Sequence, residues 1–269
     1  MKIGSQIHRN TAISASNPET ILVRGRDLVG QLMGNLSFTD HFWLLLTGSM
    51  PTSAQRLMLD ATLVAIAEHG LVPSVQASRM TLAAAPEALQ GAVAAGILGC
   101  GSVVLGSAEA AGRFFCDITA RMDTGVAVDE AISAAVTDYR QQRRAIPGYG
   151  HPLHKASDPR ATKLIEIATQ AGTAGRHAAI ACRTEQLMPG LIGKALTLNV
   201  SGAIPAVLLD VGYPLAALKG IPILARTASL IAHLLEEQTR PIGFVLSHAA
   251  GSAIGYDGEA PEGFQPGEE

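Results

Sequence analysis

The residues best suited to chemistry in this 269-residue chain gather in one short segment, Pro147-Gly-Tyr-Gly-His-Pro-Leu-His-Lys-Ala-Ser-Asp-Pro-Arg160. Gly148 and Gly150 let a loop pass close to a ligand without side-chain hindrance, and that loop ends by presenting His151. Asp158-Pro159 then reads as a helix N-cap followed by proline at the first helical position, which puts Arg160 in the first turn. A cation beside helix N-terminal amides, with an imidazole just upstream, suits a ligand whose ketone or hydroxyl is flanked by carboxylates. Taken alone, the same residues also fit an ordinary loop and cap. Other motifs fail. Gly99-Cys100-Gly101 would need glycine at 104 for a dinucleotide fingerprint, and Val104 stands there. Gly101 to Gly106 has phosphate-loop spacing but is followed by Ser107, with no lysine. His151 and His154 lack a third ligand pattern, so no metal is expected.

These residues are carried on helices. Apolar positions recur at helical spacing, with turn signals bounding runs from Ser53 to His69, Asp129 to Arg144, Asp158 to Gly172, Arg176 to Met188, Ala203 to Val211 and Pro222 to Thr239. Only Ile21 to Gly25 reads as extended, so the fold class is all-α with a trace of β. Hydrophobic residues make up 48% of the chain, which excludes intrinsic disorder. A net charge of -3 provides no basic face for nucleic acid. Charged residues are 16% against a usual share of about 25%, which points to surface hidden in a homo-oligomer. Cys100, Cys116 and Cys182 are too widely spaced for a disulfide framework, the first residues contain no secretory apolar core, and a cytoplasmic protein follows. The charge-free stretch from Ala88 to Ala108 lacks aromatic anchors and is rich in Gly and Ala; it reads as a buried helix pair rather than a membrane span. The segment from 256 to 269 is acidic, rich in Pro and Gly, and reads as a disordered tail or an arm across a partner.

G-Y-G-H followed by D-P-R resembles the keto-acid-binding loop of the citrate synthase superfamily. Five further passages agree in order: VRGRDLVGQLMGNLSFTDHFWLLLTGSMPT, AEHG at 67 to 70, GCGSVVLGSAEAAG, LNVSG at 198 to 202, and ARTASLIAHLLEEQTRP at 225 to 241. The chain looks most like short citryl-CoA lyases and the lyase module of ATP-citrate lyase. The resemblance implies an all-α dimer with a large helical domain (1–109 and 216–269) and a small one (about 110–215). It implies that His69 hydrogen-bonds the oxaloacetate portion and that His151 contacts the keto or hydroxyl oxygen. Arg160 and Arg226 would bind carboxylates, Arg240 would be donated by the neighbouring subunit, and Pro147, Gly148, Tyr149 and Gly150 would meet CoA. Arg226 lies inside the apolar run IPILARTASLIAHLL, where a guanidinium needs an anionic partner. The expected activity is cleavage of citryl-CoA, or a close analogue, to acetyl-CoA and oxaloacetate; a condensing enzyme and a catalytically impaired binding protein are the alternatives. Coenzyme A enters as part of the substrate, no cofactor is bound permanently, and neither nucleic acid nor membrane is expected as a partner.

Two departures stand out. Val104 occupies the place of a histidine that holds the thioester oxygen in citrate synthases; lyase modules also lack it. Ser201 stands where the superfamily usually has the aspartate of N-V-D, which moves the α-carbon proton. A serine hydroxyl is a poor acid or base near neutral pH, so either Ser201 relays a proton through water, another residue replaces the aspartate, or the substrate differs. His154, Asp158 and Asp210 are the substitutes the sequence offers.

Overall fold

The structure, a computed structural model, describes residues 9–101, 103, 105–150 and 156–264. Two compact units emerge from the chain: Met1–Ile66 with Leu105–Pro222, and Ala67–Val104 with Ile223–Glu269. The segment expected as the small domain, 110–215, falls wholly within the first unit.

The first unit opens with a small antiparallel sheet, β1 (Ser14–Ser16), β2 (Ile21–Val23) and β3 (Arg26–Asp27), in which Ala15 pairs with Leu22 and Leu22 with Asp27. A π turn at Leu28–Leu32 leads to α1 (Phe38–Thr47). Ser37 and Asp40 form a reciprocal capping box at its start, and Gly48 ends it in the left-handed region. α2 (Ser53–Ala67) follows. The rest of this unit packs α5 (Ser107–Asp123), α7 (Pro159–Gln170) and α8 (Arg176–Ile192) around α9 (Val200–Asp210), with α6 (Val128–Gln141) lying against α5 and α8. Residues 202–208 of α9 are all buried, as expected for a helix that is apolar on every side. On α5, Phe114, Phe115 and Ile118 are almost fully buried, and Phe114 stacks edge-on against Tyr139 and Tyr149.

The second unit contains α3 (Pro73–Ala84), α4 (Leu89–Leu98), α10 (Gly220–Thr239, from Ile223 on) and α11 (Gly243–Ala253). Leu82, Ala92 and Leu234 form a buried cluster at its centre. Gly96 lets α4 approach its neighbours: a Cβ there would lie 2.7 Å from the Ser74 carbonyl oxygen and 2.6 Å from Leu230. The stretch Leu215–Thr239 is long and apolar enough to cross a membrane by length and composition. Leu230 and Leu234 are nevertheless fully buried inside the protein.

Three expectations need correction. The stretch from 88 to 108 is not a buried helix pair: α4 ends at Leu98, α5 begins at Ser107, and Leu98 and Val103 are 86% and 90% exposed. Gly99 and Gly101 interrupt the helix, and the close packing partner of α4 is α3. α9 starts three residues earlier than expected because Asn199, not a residue near Ala203, is its N-cap and accepts from the Gly202 N–H at 3.1 Å. α2 stops at Ala67 rather than His69. The Glu68 carboxylate takes the N–H groups of His69 and Gly70, which would otherwise extend the helical ladder.

Candidate functional site

The residues expected at the site lie in both units. In the first, the loop at Pro147–Gly150 is tied to the segment before α9 by backbone bonds. Gly150 N donates to Thr197 O at 2.7 Å, Asn199 N donates to Gly148 O at 2.9 Å, and Asn199 Nδ2 donates to Gly150 O at 2.7 Å. Gly148 and Gly150 have φ of 86° and 80°, the left-handed region that favours glycine. Gly148 also passes Gly202 so closely that a Cβ on Gly202 would meet the Gly148 carbonyl oxygen at 2.6 Å. The loop backbone is therefore locked against the start of α9 and the position of Ser201. Tyr149, expected among the CoA-facing residues, instead turns its side chain inward: it is 7% exposed and its hydroxyl donates to Ala181 O at 2.9 Å. Burial pushes its phenol well above the ordinary value, so it stays protonated as a packing residue. His151, His154 and Val104 lie outside the described residues.

Asp158 caps two helices. Its Oδ1 accepts from Arg160 N at 3.1 Å at the start of α7, and its Oδ2 accepts from Val200 N at 2.9 Å at the start of α9. The same carboxylate takes Arg160 Nε at 3.0 Å and Nη2 at 2.9 Å. Its side chain is fully buried, and burial alone would raise its pKa; the Arg160 guanidinium and the Val200 N–H outweigh that and hold it below the ordinary value. Arg160 remains 20% exposed and is aimed by this pairing. Ser201 is half-buried at the second position of α9, where the helix dipole is positive. Pro205 has no N–H for the Ser201 carbonyl, so the first turn of α9 is looser in hydrogen bonding than a regular one.

Neither described substitute for the usual aspartate is open to proton transfer. Asp158 is committed as above. Asp210 accepts from Gly175 N, His177 N, Ala178 N and His177 Nδ1 at 2.7 to 3.0 Å, capping α8. Burial opposes ionisation of Asp210, but His177 and the three N–H groups hold its pKa down. Carboxylates saturated in this way act as caps, not as acids or bases.

In the second unit, His69 is half-buried in the five-residue turn between α2 and α3. Arg226 is 1% exposed on α10. Burial raises the Cys100 thiol pKa, with the Arg226 charge acting against that. Arg240 sits just past α10 with its side chain 80% exposed, 3.6 Å from Glu236. Sequence reasoning missed Arg79. Its buried guanidinium donates to Glu237 at 2.5 Å, to Glu236 at 2.9 Å and to the Arg240 carbonyl at 2.9 Å. Glu237 in turn accepts from Ile242 N and Gly243 N, capping α11. Arg79 is the only charge in the twelve residues of α3, the same signal that marked Arg226. The backbone that carries Arg240 is fixed by this buried network.

Residues 5–243 match the family model described as citrate synthase, C-terminal domain. A citryl-CoA lyase from Hydrogenobacter thermophilus is 32% identical, with a TM-score of 0.83 over 97% of this chain and 98% of that one. An ATP citrate lyase from Methanothrix soehngenii, solved with citrate and coenzyme A, shares the fold at 22% identity, with a TM-score of 0.76 over 98% of this chain and 44% of its own. Among curated relatives, the citrate/2-methylcitrate synthase of Bacillus subtilis (strain 168) is 27% identical over 75% of this chain. The chain spans about half the length of the curated relatives it matches (53% and 54%). The helical fold, the ordered motifs and the family match over residues 5–243 agree, and this chain belongs to the citrate synthase family.

Proposed function

We propose that this chain is a citryl-CoA lyase. The observation that carries the reading is the likeness, at 32% identity and nearly full length on both sides, to a citryl-CoA lyase, whereas only 53% and 54% of the synthases it matches is covered. In the reaction the tertiary hydroxyl of citryl-CoA loses its proton and the new oxygen lone pair forms the oxaloacetate carbonyl. The carbon–carbon bond breaks with its electron pair passing to the thioester enolate, and protonation of that carbon yields acetyl-CoA. Arg160, Arg226 and Arg240 hold carboxylates, His69 hydrogen-bonds the oxaloacetate portion, His151 engages the oxygen that becomes the ketone, and the backbone of Pro147–Gly150 receives CoA. With Asp158 and Asp210 committed to caps, the carbon-bound proton passes by way of Ser201 and water, or of His154.

A homodimer with Arg240 donated across it fits the exposed apolar stripe on α10. Ile231 and Leu235 on that face are 50% and 65% exposed, and exposed Ala228 and Ala232 share it at helical spacing. Sedimentation should give twice the monomer mass. The three free thiols support a cytoplasmic enzyme.

Purified protein with citryl-CoA, malate dehydrogenase and NADH should consume NADH at a rate proportional to enzyme. No signal at high enzyme concentration would overturn the substrate assignment. Thiol release from acetyl-CoA and oxaloacetate in its place would assign a condensing enzyme. Thermal stabilisation by CoA and oxaloacetate without turnover would assign an impaired binding protein, the reading Ser201 favours.

A further inference from the structure

We propose that Glu68 is a positioning residue that holds His69 in register with the Arg226 face of α10. The inference rests on the reading above, in which His69 and Arg226 meet the same substrate. Glu68 Oε1 accepts from His69 N at 2.8 Å and from Gly70 N at 2.5 Å. Its Oε2 accepts from Ser229 Oγ, and His233 Nε2 lies 3.0 Å away. One carboxylate thus ties the turn bearing His69 to two side chains of α10. Arg226, Ser229 and His233 are spaced three and four residues apart, so they share one face of that helix.

The geometry sets both ends of the clamp. The two N–H groups claimed by Oε1 are those that would have continued α2, so the carboxylate ends the helix and turns the chain at His69. Gly70 follows with φ of 71°, a conformation that suits glycine and completes the turn. The α10 side holds the carboxylate from the opposite edge. Burial alone would raise the Glu68 pKa, but Ser229, Gly70 and His233 hold it below the ordinary value, so the clamp is anionic at neutral pH. Displacing a substrate-contacting group by about 1 Å is enough to cost up to about 100-fold in rate.

The decisive variants lie on α10, more than 150 residues from His69 in the chain. In Ser229→Ala/His233→Phe protein the clamp loses its anchor while Glu68, His69 and Arg226 remain. We expect kcat/KM for citryl-CoA to fall about 10- to 100-fold, and the oxaloacetate dissociation constant to rise with it, while CoA affinity stays within about twofold. Glu68→Gln should reproduce the loss, and the triple variant should be no worse than either, because all three act as one unit. NMR of histidine-labelled protein should show the His69 imidazole resonances, assigned with His69→Gln, shifted in the α10 double variant, while those of His177 stay in place. Circular dichroism at matched temperature confirms that each variant is folded, and Glu68→Gln carries the test if the α10 variant is not. Additive losses, or unshifted His69 resonances in the α10 variant, would overturn the clamp. If the wild-type protein proves unable to cleave citryl-CoA, the functional reading fails while the NMR comparison still decides the clamp.

Discussion

Replacing Asp158 should be among the most damaging single changes outside the hydrophobic core. In Asp158→Ala the α7 N-cap is lost, at about 1 kcal/mol. The Val200 N–H, 4% exposed as a residue, is left buried without an acceptor, at about 1–3 kcal/mol. The Arg160 pair adds no more than about 1 kcal/mol, because that guanidinium is 20% exposed and solvent screens it. The total is about 4 kcal/mol, a lowering of Tm by about 8–16 °C for a protein this size. Asp158→Asn should lose more than half as much, since its NH2 faces either the Val200 N–H or the Arg160 guanidinium, donor against donor. The pH dependence has a definite sign. A carboxyl whose folded pKa lies below its unfolded value contributes stability that is present above about pH 4 and is lost as pH falls through the folded pKa. Urea unfolding at pH 7, repeated at pH 3.5, should therefore show a gap between wild type and Asp158→Ala that narrows on acidification. A wild-type-like Tm for Asp158→Asn, or a gap that widens at pH 3.5, would refute the double-cap account.

Other substitutions test separate parts of the structure. Gly202→Ala should destabilise by about 1–3 kcal/mol in denaturant titration and weaken CoA binding, because its Cβ meets the Gly148 backbone, which cannot move aside as the Leu198 side chain also in its way can. Arg79→Met leaves Glu237 buried without its cation and should cost about 3–5 kcal/mol, read by the same titration. Ser201→Asp should raise the rate of citryl-CoA cleavage in the coupled assay. A carboxylate at the second position of α9 is favoured by the helix dipole, and a fall in rate would show that the serine itself belongs to the mechanism. Tyr149→Phe should lower stability by about 1 kcal/mol by removing the buried hydrogen bond from its hydroxyl to the Ala181 carbonyl.

Much of the local structure was legible in the residues. Asp158-Pro159 reads as cap and first turn, and α7 begins at Pro159 with the Asp158 side chain on Arg160 N. The lone arginine in an apolar helix reads as buried, and Arg226 is. Periodicity also located α6, α8 and α10 to within a few residues. Where the reading slipped, a side chain had competed with the backbone: Glu68 at the end of α2 and Asn199 at the start of α9. The same polar types occur in many helices without such bonds, so spacing alone does not reveal them.

Family, helical class and the identity of the expected ligand-binding residues came from the sequence, because motifs and periodicity are properties of neighbouring residues. Which polar groups are already spent is a tertiary matter. Asp158 and Asp210 look like acids in the sequence, but contacts from 32 to 42 positions away turn them into helix caps. Tyr149 looks like part of a ligand loop, and the Ala181 carbonyl draws it into the core. Arg79 has no anionic partner near it in the sequence, and its partner Glu237 lies 158 residues downstream. Chemistry that depends on the free lone pairs and protons of a group is decided by such long-range partners, and only the folded chain supplies them.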